Sequence, residues 1–228
     1  MNKKSRIFIF NIKNKLILLR ELLWRIKLKR ISKRTNFDFD KIYWIKTNKL
    51  KYSIIKKENG FYLDRFNIYR DLGKIIDGNW DSKNNRKKIK ELDFYKSFYL
   101  RFKKNKNWED TPFYKRVLSE IQGGKIKWGS KNKNDLDKRF IGIDKLYSSI
   151  KKEGFKCQKE AGGGTEDEIG VCIGRDGEFL FVNGRHRLSI AKIIGIKYIP
   201  VRIIVVHKKW LYKNLNNKKK LIKPFFLI

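Results

Sequence analysis

Apolar and polar stretches alternate most clearly in the C-terminal half of the chain. Ile169-Gly170-Val171-Cys172-Ile173 and Glu178-Phe179-Leu180-Phe181-Val182 are apolar runs of strand length separated by Gly174-Arg175-Asp176-Gly177. An Asp-Gly pair between two such runs predicts a hairpin. Farther on, Leu188, Ala191 and Ile194 recur at helical spacing with Ile190 and Ile193 beside them, and Gly195 stands where a helix ends on a left-handed residue. Ile199-Pro200-Val201-Arg202-Ile203-Ile204-Val205-Val206 reads as a further strand, Pro200 being tolerable near its start or on an edge.

The first half is patterned differently. Residues 5–31 read as one basic amphipathic helix, with Ile12, Leu16, Leu19, Leu23, Ile26 and Leu28 along a face, and Arg30 to Asp40 reads as a linker. Between Lys41 and Phe66, β-branched and aromatic residues around Glu58-Asn59-Gly60 predict one or two hairpin strands. From Ile89 to Lys104 the stripe Leu92, Tyr95, Tyr99 and Phe102 predicts a helix with that stripe in the core and Asn105 beyond its end. Thr111 suits an N-cap and Pro112 the first position of a helix running to Gln122, and Asp144 suits the N-cap of another that reaches Gly154.

Composition bears on partners. Lys and Arg total 57 against 23 Asp and Glu, a net charge of +34. Such a surface gains affinity for nucleic acid or an anionic membrane by releasing counterions. The accompanying weight of Lys, Asn and Ile is also what an AT-rich genome produces, so the charge alone does not decide. The helix over 5–31 suits contact with an anionic membrane surface or packing on the domain, and its interrupting charges argue against a signal sequence. No run reaches the length of a spanning helix. Cys157 and Cys172 make no Cys-x-x-Cys motif, so a reduced, cytoplasmic setting is expected, and no spacing with His186 and His207 matches a zinc site.

The chemistry is expected at Asn183-Gly184-Arg185-His186-Arg187, between the second strand and the helix. A strand turning through Asn-Gly into a helix that begins Arg-His-Arg gathers backbone N–H groups, a positive dipole end and cationic side chains, the outline of a phosphate site. The alternative is a plain turn with solvated arginines.

The run Asp176-Gly177 … Phe181-Val182-Asn183-Gly184-Arg185-His186-Arg187-Leu188-Ser189-Ile190-Ala191-Lys192 … Gly195-Ile196 … Ile199-Pro200-Val201 resembles the core of the ParB/sulfiredoxin superfamily. Leu146 to Phe155 is similar to the helix that precedes the ParB sheet, so the resemblance covers roughly residues 140–208. It implies a small mixed sheet with helices over 140–208, and the residues outside it read as a mainly helical, aromatic-rich region over 41–135 and a basic tail over 209–228, an α+β fold in all. It also implies a bound nucleoside triphosphate, CTP as in ParB or ATP as in sulfiredoxin, with Mg2+, and phosphate contacts from Gly184, His186 and Arg187. Arg185 stands where sulfiredoxin has its reactive Cys, so sulfinic acid reduction is not expected. Arg-His-Arg also replaces the Glu-Arg-Arg run of ParB, and nothing resembling the ParB helix-turn-helix domain follows.

Phosphoryl transfer or nucleotide hydrolysis at this turn would need a carboxylate to hold a metal or accept a proton. Glu166, Asp167, Glu168, Asp176 and Glu178 are nearest in sequence, and His186, Glu168 and Asp176 are taken as the catalytic candidates. Ala161-Gly162-Gly163-Gly164 is not followed by Gly-Lys-Ser/Thr, which excludes a P-loop. Asp77 and Asp81 around Trp80 are either ligands or an Asx-type turn, and His207 is either a partner of His186 in one cleft or a satisfied strand-end residue. The expectation is a nucleotide-binding protein of phosphotransferase or NTPase type, with a basic, non-catalytic DNA- or RNA-binding protein as the alternative.

Overall fold

A computed structural model describes residues 23, 26–33, 35, 37–58, 61–64, 66–164 and 167–215. The Glu58-Asn59-Gly60 turn, Glu166, most of the helix expected over 5–31 and the tail from 216 onward lie outside the described residues, in whole or in part. The chain divides into two compact units, Met1–Lys41 and Ile42–Ile228. In the first, residues 26–33 are helical, so the helix continues beyond Arg30, where a linker was expected. Thr35 Oγ1 donates to Ile31 O at 2.7 Å, and Phe37 meets Phe39 edge to face.

In the second unit the elements follow as β1 (Ile42–Lys46), β2 (Tyr52–Glu58), β3 (Phe61–Asp64), α1 (Ile68–Asp71), β4 (Lys74–Ile76), β5 (Arg86–Lys88), α2 (Asp93–Lys104), α3 (Pro112–Gln122), α4 (Lys133–Glu153), β6 (Ile169–Ile173), β7 (Phe179–Asn183), α5 (Arg185–Ile194), β8 (Tyr198–His207) and α6 (Lys208–Leu215). The strands form one sheet in the order β1-β8-β6-β7-β2-β3, with β4 added against β8 and β5 against β2. The sheet is mixed. β6 pairs antiparallel with β7 across the expected hairpin and parallel with β8, which antiparallel β1 covers on its other side. The predominantly apolar run of β8, interrupted only by Arg202 before its terminal His207, is what a strand buried on both faces needs, and all of it from Ile199 to His207 is buried.

The fold is therefore mixed α+β, but its parts are divided differently from the expectation. Tyr52 and Ser53 of β2 pair parallel with Leu180 and Phe181 of β7, so 41–135 supplies strands to the same sheet as 140–208 instead of a separate, mainly helical region. Apolar alternation identifies a strand without naming its neighbour. The boundary expected near 135–140 falls inside α4, whose N-cap is Asn132, its side chain accepting from Asp135 N at 2.9 Å. Asp144 is consequently no cap. It lies mid-helix, receiving Arg101 Nη2 at 2.7 Å and Trp108 Nε1 at 2.9 Å.

The core facing β6–β8 gathers Ile54, Trp80, Cys172, Leu180, Val182 and Ile204. On α2 the buried stripe is Phe94, Ser97 and Phe98, whereas Tyr99, expected inside, is 43% exposed. Both stripes satisfy helical spacing, and Phe98 wins because it meets α5 through His186 and the loop residue Trp108. Among the described residues no helix is long and apolar enough to cross a membrane.

Candidate functional site

The turn from β7 to α5 is built on Gly184. Its φ of 88° is left-handed, and a Cβ there would lie 2.9 Å from the Cα of Ile169 at the start of β6, so backbone meets backbone where only glycine fits. No side chain caps α5, so its first-turn N–H groups lack both intrahelical acceptors and a capping oxygen. A cavity of about 670 Å3 opens over this turn, lined by Asn183 to Arg187, by Arg139 and Leu146 of α4, by Trp128, and by the segment after α4.

The three side chains of Arg-His-Arg have separate surroundings. Arg185 lines the cavity, its guanidinium carbon 5.8 Å from the centre of the Phe94 ring. His186 enters an aromatic cage, stacked on Phe98 with centroids 5.6 Å apart and edge-on to Phe113 and Trp128. Burial, reinforced by the charges of Arg139 and Arg185, pushes its pKa down to about 3. It is thus a neutral ring, and its Nε2 is sealed from solvent without a hydrogen-bond partner. Arg187 turns inward, where Nη1 donates to Glu168 Oε2 at 2.7 Å, Nη2 donates to Lys156 O, and the guanidinium lies over Phe155.

The expected carboxylates scatter. Glu168 is 1% exposed, accepting from Arg187 and from the Gln158 N–H, while burial pushes its carboxyl up. Asp176 sits in the hairpin turn at the far end of β6 and β7, about 16 Å from Gly184 along strands of this length. Glu178 is at that end too, ion-paired with Arg86. Of the candidates among the described residues, only Asp167 lines the cavity.

His207 also belongs to the hairpin end, because its neighbour Val206 pairs with Ile173 there, so it does not share a cleft with His186. It stacks on Trp80, and Nε2 lies 2.9 Å from Gly78 O. Beside it Asp81, wholly buried, accepts from Arg175 N at 2.6 Å and from the Arg175 guanidinium, an ionic clasp and not a ligand set. Burial acts to raise the Asp81 pKa, but these bonds outweigh it and hold the group below the usual carboxylate range. Asp77 accepts from the N–H of the next residue, Gly78, at 2.9 Å, one residue short of an Asx turn. Trp108 is buried between Phe98 and Phe140.

Two site residues are absent from the expectation. Arg139 places its guanidinium 5.2 Å from the centre of the Trp128 ring, its Nε is buried without a hydrogen-bond partner, and no carboxylate among the described residues pairs with it. Burial lowers its pKa. Trp128 has a φ of 50° and is 40% exposed on the cavity wall. A bulky residue in the left-handed region is strained, a cost that clusters at ligand clamps. A hint in the sequence was an arginine four residues ahead of buried Ile143 on α4, hence on its inward face. No group of three or more His, Cys, Asp or Glu able to hold a metal occurs among the described residues. Comparison with protein-family models, curated proteins and solved structures yields no match.

Proposed function

We propose that the cavity over the Gly184 turn binds a nucleotide, in the manner of a ParB/sulfiredoxin-like fold, with the phosphates on the first turn of α5 and the base against Trp128. The observation that carries this reading is the uncapped start of α5, reached through a glycine no other residue can replace and facing a cavity walled by Arg185 and Arg139. Arg139 contributes an arginine held on an aromatic face with no acid paired to it among the described residues, which suits a phosphate ligand. The exposed part of Trp128 offers a stacking surface of nucleobase size.

Phosphoryl transfer is the second reading, and Asp167 is the observation that favours it. Glu153 accepts from Lys156 Nζ at 2.8 Å and Glu160 from Cys157 N at 2.9 Å, which among the described residues leaves Asp167 as the lining carboxylate without such a bond. A Mg2+ ion fits this donor set only as a partner of the phosphates, with Asp167 as its protein ligand and charge neutralisation as its contribution.

Thermal denaturation with ATP, CTP and GTP, each with and without Mg2+, tests the proposal. Binding at one hundred times Kd adds about 2.7 kcal/mol of stability, so one of them should raise the Tm by several degrees, and Arg139→Ala and Arg185→Ala should each abolish the rise. A Tm indifferent to all three nucleotides refutes it.

A further inference from the structure

The second cavity worth attention lies at the other end of α5, about 15 Å from the first along a ten-residue helix. It measures about 910 Å3, and Lys46, Lys51, Lys88, Lys90, Lys192 and Lys197 line it while no Asp or Glu among the described residues does. They come from β1, the residue before β2, the end of β5 and the turn after it, α5 and the loop after α5, so the sheet and the helix together converge them. Among the described residues only Lys88 has an acid in reach, Glu91 at 3.9 Å. The floor is different in kind, with Ile89, Ile196 and the half-buried rings of Tyr52 and Tyr95.

Two details suit this arrangement to an anion. Lys192 is half-buried with Nζ donating only to Thr47 O at 3.1 Å, and burial, with Lys90 adding its charge, lowers its pKa to about 8. Thr47, which lines the same cavity, is 6% exposed, and its hydroxyl is buried with no hydrogen-bond partner among the described residues. A donor and a crowded ammonium thus stand together over apolar surface.

We infer that this cavity binds the sugar-phosphate backbone of a single-stranded nucleic acid. Six lysines exceed what one phosphate needs, and spread over a cavity of this size they match a run of phosphates. Lysine is a point charge on a flexible stem, suited to holding a backbone without reading sequence, and the tyrosines supply faces for sugars and bases. The site is separate from the nucleotide cavity and does not depend on it.

The test is fluorescence anisotropy with labelled single-stranded oligonucleotides of about 15 nucleotides, titrated over a range of salt. The wild-type chain should bind with log K falling linearly in log salt, each phosphate neutralised contributing about −0.7 to the slope. Lys51→Ala/Lys88→Ala/Lys192→Ala should weaken binding at least tenfold and flatten the slope by about 2. A charge-matched control, Lys103→Ala/Lys104→Ala/Lys115→Ala, should change binding less than threefold. If the first variant loses its fold by circular dichroism, Lys46→Glu/Lys197→Glu at the exposed rim replaces it, with the same tenfold loss expected. Equal losses in cavity and control variants would mean diffuse attraction and overturn the inference. So would full competition by inorganic polyphosphate at equal phosphate concentration, or binding only to vesicles of anionic lipid. Arg139→Ala should leave oligonucleotide binding intact, so failure of the nucleotide reading and failure of this one are told apart.

Discussion

Arg187 and Glu168 form a buried ion pair, Nη1 to Oε2 at 2.7 Å, that joins the first turn of α5 to the residue preceding β6. Removing one partner strands the other charge in the interior. Glu168→Ala is therefore expected to lower unfolding free energy by about 3 kcal/mol, whereas Glu168→Leu/Arg187→Met should recover most of it. Urea denaturation of the two variants checks this. A stable Glu168→Ala protein that has lost only activity would instead assign the carboxylate to catalysis.

His186 makes stability depend on pH in a definite sense. In the unfolded chain it gains a proton below its ordinary 6.5, while in the fold its caged ring stays neutral down to about 3. The unfolded state binds more protons across that window, so this contribution is present above pH 6.5 and declines as the pH falls toward 3. His186→Phe, which fits an aromatic cage, should show a shallower loss of Tm between pH 6.5 and 4. Parallel curves would show that another group titrates.

How much of this was legible in the sequence depended on distance along the chain. The hairpin from Ile169 to Asn183, the glycines at 184 and 195, and β8 follow from local turn chemistry and short apolar runs, and they stand where those cues put them. The pairing of β2 with β7 joins residues more than a hundred positions apart, and nothing local records it. Arg187 looked like a phosphate ligand because its acid, Glu168, belongs to another element, while Asp144 looked like a cap because its partners Arg101 and Trp108 come from an earlier segment. Trp128 was passed over because positive φ is invisible in residue identity.

Gly184→Ala tests the turn. Left-handed backbone costs an alanine about 1–2 kcal/mol, and the contact with the Ile169 backbone adds to it. A loss of about 2 kcal/mol or more by chemical denaturation is expected, and a change under about 0.5 kcal/mol, the scale of an indifferent surface site, would show that the turn tolerates a side chain.

Asp71 governs the acid limb of stability. It is buried, which acts to raise its pKa, but bonds from Arg70 and Lys74 at 2.8 Å and from Asn67 N outweigh that and bring it to about 2. Because the folded value lies below the unfolded 3.8, its contribution is complete above about pH 4 and disappears toward pH 2. Asp71→Asn should lower Tm at neutral pH and flatten its fall in that window. An unchanged acid limb would place the acid sensitivity elsewhere, Asp81 being the next carboxylate to replace.

The pairing of β1 with β8, Ile42 against Arg202, has a bearing on synthesis. On the ribosome β1 emerges before β8 and stays unpaired with it until Arg202 has been made, and β2 likewise awaits Leu180. Closure of the sheet is thus a late event joining distant parts of the polypeptide, and such topologies assemble slowly. Until then the nascent chain carries adhesive apolar surface and unpaired strand edges open to association with other chains.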